Sequence, residues 1–157
     1  MPNTVKPIPD GYHTVTPYIV VTSAAQAIEF YRKAFGAENT VCMKSPDGKI
    51  MHAEIKIGNS IVMLGEESPQ MGCVAPVSQK GSTVSFYIYV RDADAAFQQA
   101  VKAGAETVMP VSDMFWGDRH GQVKDPFGHR WSLATHKEDL TDGQIRERAM
   151  KAFAQGK

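Results

Sequence analysis

Residues 116–136, WGDRHGQVKDPFGHRWSLATH, decide the fold. Proline pre-sets one turn position and glycine takes positive φ, so Asp125-Pro126-Phe127-Gly128 reverses the chain between two strands. Residues 50–64, IMHAEIKIGNSIVML, repeat the arrangement upstream: a polar-alternating strand, a turn at Gly58-Asn59, then an apolar strand. The chain is a duplicate of one unit.

Working outward, prolines and Asp10-Gly11 make residues 1–12 an extended arm. A first strand is expected over about residues 13–21. Ser23 then caps a helix, AAQAIEFYRKAFGA, which puts Ile28, Tyr31 and Phe35 on one face and stops at Gly36. Strands at about 39–44, 50–57 and 60–64 complete a β-α-β-β-β module over residues 13–65. Residues 66–82 are rich in turn formers and lack periodicity, so a long loop, a linker or alternatively a lid, is expected there. The order then recurs over residues 83–138, with a strand at 84–90 and a helix capped by Asp92 and stopped by Gly104. Residues 139–157 carry a separate helix, opened by the capping box of Thr141 and Gln144. Its stripe of Ile145, Ala149, Met150 and Phe153 either packs on its own domain or closes a partner's cavity. The fold class is α+β: two tandem βαβββ modules forming a curved eight-stranded mixed sheet, an open barrel or half-barrels with helices outside, plus a C-terminal helix.

Composition narrows the partners. In 157 residues, 43% of them apolar, 17 basic and 17 acidic side chains cancel without runs of like charge. That balance argues against nucleic acid and anionic membranes. Cys42 and Cys73 make no CxxC pair, which fits a reducing cytosol rather than a disulfide framework or zinc knuckle. The N-terminus has prolines where a signal peptide needs an apolar core, and no stretch reaches membrane-spanning length, so a cytoplasmic protein is expected.

Taken together, AIEFYRKAFGA, HAEIKIG and WGDRHGQVKDPFGHRWSLATH resemble the vicinal oxygen chelate superfamily. This group includes glyoxalase I, extradiol dioxygenases, fosfomycin-resistance transferases and bleomycin-binding proteins. The WGDR and DPFGHRW motifs are similar to its PhnB-like, glyoxalase/bleomycin-resistance branch, over roughly residues 13–138. The resemblance implies metal ligands on the first and last strands of each module, at places that fall here on Thr16, Met63, Ser85 and Ser132. The same 69-residue spacing separates 16 from 85 and 63 from 132. A thioether and three hydroxyls do not suit the divalent metals such enzymes use, so no metal cofactor is expected at the standard site. The resemblance also implies pairing into a homodimer.

Strand parity supplies the ligand-binding candidates. Val84, Phe86, Ile88 and Val90 should pack under helices, leaving Ser85, Tyr87 and Tyr89 on the open face. Thr16 and Tyr18 share that face in the first module, and Arg130 and Ser132 in the last strand. Trp116 and Arg119 offer a flat wall and a fork-shaped cation for an anionic aromatic ligand, or else Asp118 pairs with Arg119 and Trp116 caps the core. Of five histidines, His52 shares one strand face with Glu54. The ordinary expectation for that pair is a solvated face; facing a cavity, it would form a catalytic acid–base pair. His120 matches His52 in the second module, while His13, His129 and His136 suit capping or turn-bonding roles. Two functions follow: a protein that binds a small aromatic or drug-like molecule without chemistry, or a glyoxalase- or dioxygenase-type enzyme using a displaced metal or His52/Glu54.

Overall fold

The computed structural model describes residues 5–156, so the first four residues of the expected arm lie outside the description. The chain divides into two compact units, Met1–Gly81 and Ser82–Lys157. The first contains β1 (Tyr18–Val21), α1 (Ala24–Phe35), β2 (Glu38–Lys44), β3 (Ile50–Ile57), β4 (Ser60–Glu66) and a short helix α2 (Pro76–Gln79). The second contains β5 (Ser85–Tyr89), α3 (Ala93–Lys102), β6 (Glu106–Asp113), β7 (Asp118–Lys124), β8 (Arg130–His136) and α4 (Asp142–Ala154). Each unit builds a four-stranded mixed sheet, in the orders β1-β4-β3-β2 and β5-β8-β7-β6. In both, the strand before the helix runs parallel to the last strand and the other pairings are antiparallel.

The helix boundaries follow from side chains that satisfy otherwise unpaired backbone groups. Ser23 accepts from the Gln26 amide to start α1, and Gly36 ends it at φ 64°. Asp92 accepts from the Ala95 amide to start α3. Thr141 and Gln144 cap α4 reciprocally, and the helix runs one residue beyond Phe153. Ala24, Ala27, Phe30, Tyr31 and Ala34 of α1 are buried, as are Ile19, Val21, Ala53, Ile55, Val62 and Leu64 of its sheet. In the second unit Val123, Trp131 and Leu133 form the corresponding sheet core. Gly121 admits α3 closely, because a Cβ there would lie 2.8 Å from Phe97 and from Val111.

Several expectations are corrected. The first strand starts at Tyr18 rather than near residue 13, because Pro17 has no amide to donate to a ladder and Thr16 hydrogen-bonds back to the His13 carbonyl at 3.1 Å. Residues 66–82 are not structureless: they hold a 3-10 turn at Pro69–Met71, a bridge between Ser68 and Cys73, and α2. The Glu67 carboxylate organises this segment by accepting from the Ala75 amide at 3.1 Å. Val84 lies outside β5 and is 56% exposed instead of packing beneath a helix. No residue of α4 is buried; it is held by Arg148 to Glu138, at 2.7 Å, and by the Phe153 ring against Phe115, at 5.7 Å.

The β7–β8 turn is built on one carboxylate. Asp125 is buried; its Oδ1 accepts from the Phe127 and His129 amides, both at 2.9 Å, and its Oδ2 from Trp131 Nε1 at 2.8 Å. Gly128 completes the reversal at φ 92°. Gly128→Val is therefore expected to lower stability by about 1–3 kcal/mol, the usual cost of forcing a β-branched residue into that region. An unchanged denaturant midpoint would overturn this account of the turn.

Candidate functional site

In the second unit the polar side chains of the open face converge on Asp118, the first residue of β7. This carboxylate is 3% exposed, and such burial requires donors all round it. Its Oδ2 accepts from Tyr87 Oη at 2.9 Å, Trp116 Nε1 at 3.1 Å and Tyr89 Oη at 3.2 Å. Its Oδ1 lies 2.9 Å from His136 Nδ1, and His136 Nε2 lies 2.9 Å from Asp139. Burial alone would push the Asp118 carboxyl up, but the donors from His136, Tyr87, Trp116 and Tyr89 outweigh it and hold it below 3.8. Desolvation, reinforced by Asp118, pushes the Tyr87 phenol up to about 12 and raises Tyr89. Both phenols are therefore neutral donors at physiological pH.

The aromatic rings sit close above this carboxylate. Tyr87 and Tyr89 rings lie 5.2 Å apart, and Tyr87 stacks on His120 at 5.3 Å and 10°. Trp116 lies 5.9 Å from His120. With their polar tips bound to Asp118, Tyr87 and Tyr89 remain 44% and 65% exposed. Ser132 is buried in register with Tyr87 and accepts from Gln122 Nε2 at 3.2 Å. Ser85 and Arg130 form the next row and are exposed at the strand start.

Arg119 does not join this face. Neighbouring residues of a strand point to opposite sides, and Arg119 reaches instead to Asp94 of α3 at 2.8 Å and to Asp113 at 3.1 Å. The expected Trp116–Arg119 ligand clamp and the alternative Asp118–Arg119 pair are both replaced by Trp116–Asp118. Sequence parity placed the tyrosines, but Asp118, His120 and His136 went unrecognised as their partners. The available signal was the alternation Asp118, His120, Gln122, which shares the parity used for the other strands.

The first unit has a smaller counterpart. Glu54 lies in register with Met63, and Met63 with Tyr18. Glu54 is 6% exposed, which overturns the expected solvated face: the Tyr12 hydroxyl donates to one carboxylate oxygen, and His52 Nε2 lies 3.1 Å from the other. Glu54 raises the Tyr12 phenol by that hydrogen bond. The Tyr18 ring lies 5.7 Å from His52 and crosses Gly65, where a Cβ would come 2.5 Å from the Tyr18 hydroxyl. Thr16 is spent on the His13 carbonyl and stands before the strand rather than on its face. His13 lies 3.1 Å from the Asn59 carbonyl oxygen. Among the described residues, no group of three or more His, Cys, Asp or Glu is placed to hold a metal ion. No helix among them is long and apolar enough to cross a membrane.

Residues 12–133 match the model of the glyoxalase/bleomycin resistance protein/dioxygenase superfamily. The chain is 42% identical over 135 residues to the uncharacterized protein Rv0887c of Mycobacterium tuberculosis, covering 84% of this chain and 79% of that protein. The crystal structure of TioX from Micromonospora sp. ML1 superposes with a TM-score of 0.61 at 27% identity, covering 78% of this chain and 97% of TioX. A PhnB protein from Bacillus cereus, 16% identical, shares the fold with a TM-score of 0.60 over 78% of this chain and 99% of its own.

His136 should make stability depend on pH. Asp139 and Asp118 raise it above 6.5, so its contribution is full below that value and is lost as pH rises through the elevated folded value. Asp118 is depressed below 3.8, so its contribution is full above that value and is lost as pH falls through the folded value. Both are complete between 3.8 and 6.5. His136→Gln should consequently lower Tm more at about pH 5 than at about pH 9. Equal losses would refute the charge contribution.

Proposed function

The chain belongs to the glyoxalase/bleomycin resistance protein/dioxygenase superfamily, and from that membership we propose that it binds a small planar aromatic or drug-like molecule on the tyrosine-lined face of its second unit. The observation that carries this reading is the attachment of Tyr87, Tyr89 and Trp116 to the buried Asp118. Rings whose polar tips are already bonded are held rigidly, and a ligand stacking on them orders little that is loose. Thr16, Met63, Ser85 and Ser132 do not suit a divalent metal at the superfamily's usual positions, so binding is proposed to be metal-free. The free Cys42 and Cys73 fit the reducing cytoplasm in which we place the protein.

A planar probe such as 9-fluorenone, followed by calorimetry, tests this reading. Tyr87→Ala should weaken binding up to about tenfold, the worth of one aromatic pair, while Tyr87→Phe keeps the ring and most of the affinity. Equal affinity in Tyr87→Ala removes the tyrosine face from the proposal. Stoichiometric nickel, zinc, manganese or iron in the purified protein would overturn the metal-free part.

A second reading rests on a separate observation, the buried Glu54 bonded by Tyr12 and His52. A carboxylate that orients a histidine is the arrangement of a general base, here supporting a glyoxalase-type lyase or isomerase reaction. Solvent deuterium exchange at the carbon beside the carbonyl of an aromatic 2-oxo acid should then be accelerated and fall about 100-fold or more in His52→Gln. Exchange no faster than in buffer would eliminate it. We further propose a homodimer, for which the exposed Met150 and Phe153 of α4 supply apolar surface. Light scattering at the monomer mass would exclude that assembly.

A further inference from the structure

His52 and His120 occupy matching places in the two units, but their neighbours differ. Position 54 is a glutamate whose carboxylate holds His52. The matching residue across from Ser132 is Gln122, whose side-chain amide donates one N–H to Ser132. His120 is 5% exposed, and its Nδ1 is buried with no hydrogen-bond partner among the described residues. Nine in ten or more buried polar groups are paired, and this exception bears on which ring nitrogen carries the proton.

The tautomer follows from the surroundings. A proton on Nδ1 would be a buried donor facing no acceptor, which is rarer and costlier than an unfilled lone pair. The proton therefore belongs on Nε2, which, unlike Nδ1, is not among the fully buried unpaired atoms and so is open to a ligand. The Asp118 carboxylate, whose charge acts on this ring, is already occupied by Tyr87, Tyr89, Trp116 and His136. Burial keeps His120 below the ordinary imidazole value despite Asp118, so the ring is neutral. The ring is also immobilised, with Tyr87 stacked on it and Trp116 beside it.

We infer that His120 Nε2–H is the hydrogen-bond donor of the binding face and selects a neutral, planar aromatic carbonyl compound whose ring lies against Tyr87. An aromatic hydrocarbon would leave that donor unpaired. An aromatic carboxylate would bring a second anion beside the buried Asp118. The inference rests on the tyrosine-face reading and adds the chemical class of the ligand and the residue that chooses it.

The test uses a matched pair, 9-fluorenone and fluorene, which share shape and differ in the carbonyl. The wild-type protein should prefer fluorenone by about tenfold, the scale of one net hydrogen bond. His120→Phe, which retains a ring for Tyr87 to stack on, should bind both equally. A long-range proton–nitrogen NMR spectrum of the imidazoles should show His120 as the Nε2–H tautomer, a readout that needs no ligand and no variant. Equal affinities in the wild type, a preference that survives His120→Phe, or an Nδ1–H tautomer would each overturn the inference while leaving aromatic binding intact. If neither probe binds, the tyrosine-face reading falls and this inference with it.

Discussion

A buried carboxylate must be surrounded by donors, and the second unit is arranged around two of them. Left unpaired, either would cost several kcal/mol, so the groups that reach it are fixed by necessity. Asp118 opens β7 and Asp125 follows its end, so the strand is fastened at both ends. Asp125 ties the turn backbone to Trp131 of β8. Asp118 draws in Tyr87 and Tyr89 of β5, Trp116 before β7 and His136 at the end of β8. Three strands are thus joined by side chains as well as by their ladders, and the tyrosine rings that face outward gain fixed orientations from it. The site's rigidity and the stability of the sheet have one source.

Duplication supplied the scaffold and divergence supplied the chemistry. In each unit a row of four residues crosses the open face: Tyr18, Met63, Glu54 and Val41 in the first, Tyr87, Ser132, Gln122 and Met109 in the second. That row carries a glutamate in the first unit, which bonds His52, and a glutamine in the second, which bonds Ser132. Gly65 stands where the second unit has Ala134, and the missing Cβ lets Tyr18 lie across its neighbour toward His52. At these matching places one unit presents His52 bound to Glu54, the other His120 stacked on Tyr87. The superfamily is known by its fold, and a fold does not specify a reaction, so these differences carry the functional argument.

Features set by near neighbours in the chain were legible beforehand. Ser23, Asp92 and Thr141 act within three residues of themselves, and Asp125 and Gly128 build a reversal out of five. Alternation along β5 placed Tyr87 and Tyr89 together for the same reason, since strand parity is a local rule. The errors have the opposite character. Glu54 looked solvated because nothing adjacent would bury it; its partner Tyr12 lies 42 residues away. Arg119 looked available because Asp94, which takes it, lies 25 residues upstream on a helix. Residues 66–82 looked loose because the contact that shapes them, Glu67 to the Ala75 amide, has no periodicity to reveal it.

The amino-acid sequence by itself determined the two βαβββ units, their helix ends and turns, the family and the face that carries the tyrosines. Each of these depends on propensity, capping or alternation over a few positions. Tertiary structure alone decided which polar groups meet. It buried Asp118 among four donors, left His120 Nδ1 without a hydrogen-bond partner among the described residues and turned Arg119 to the helix side. Those outcomes depend on strand register and on chain segments tens of residues apart, and one residue of register exchanges every side chain between the two faces of a sheet.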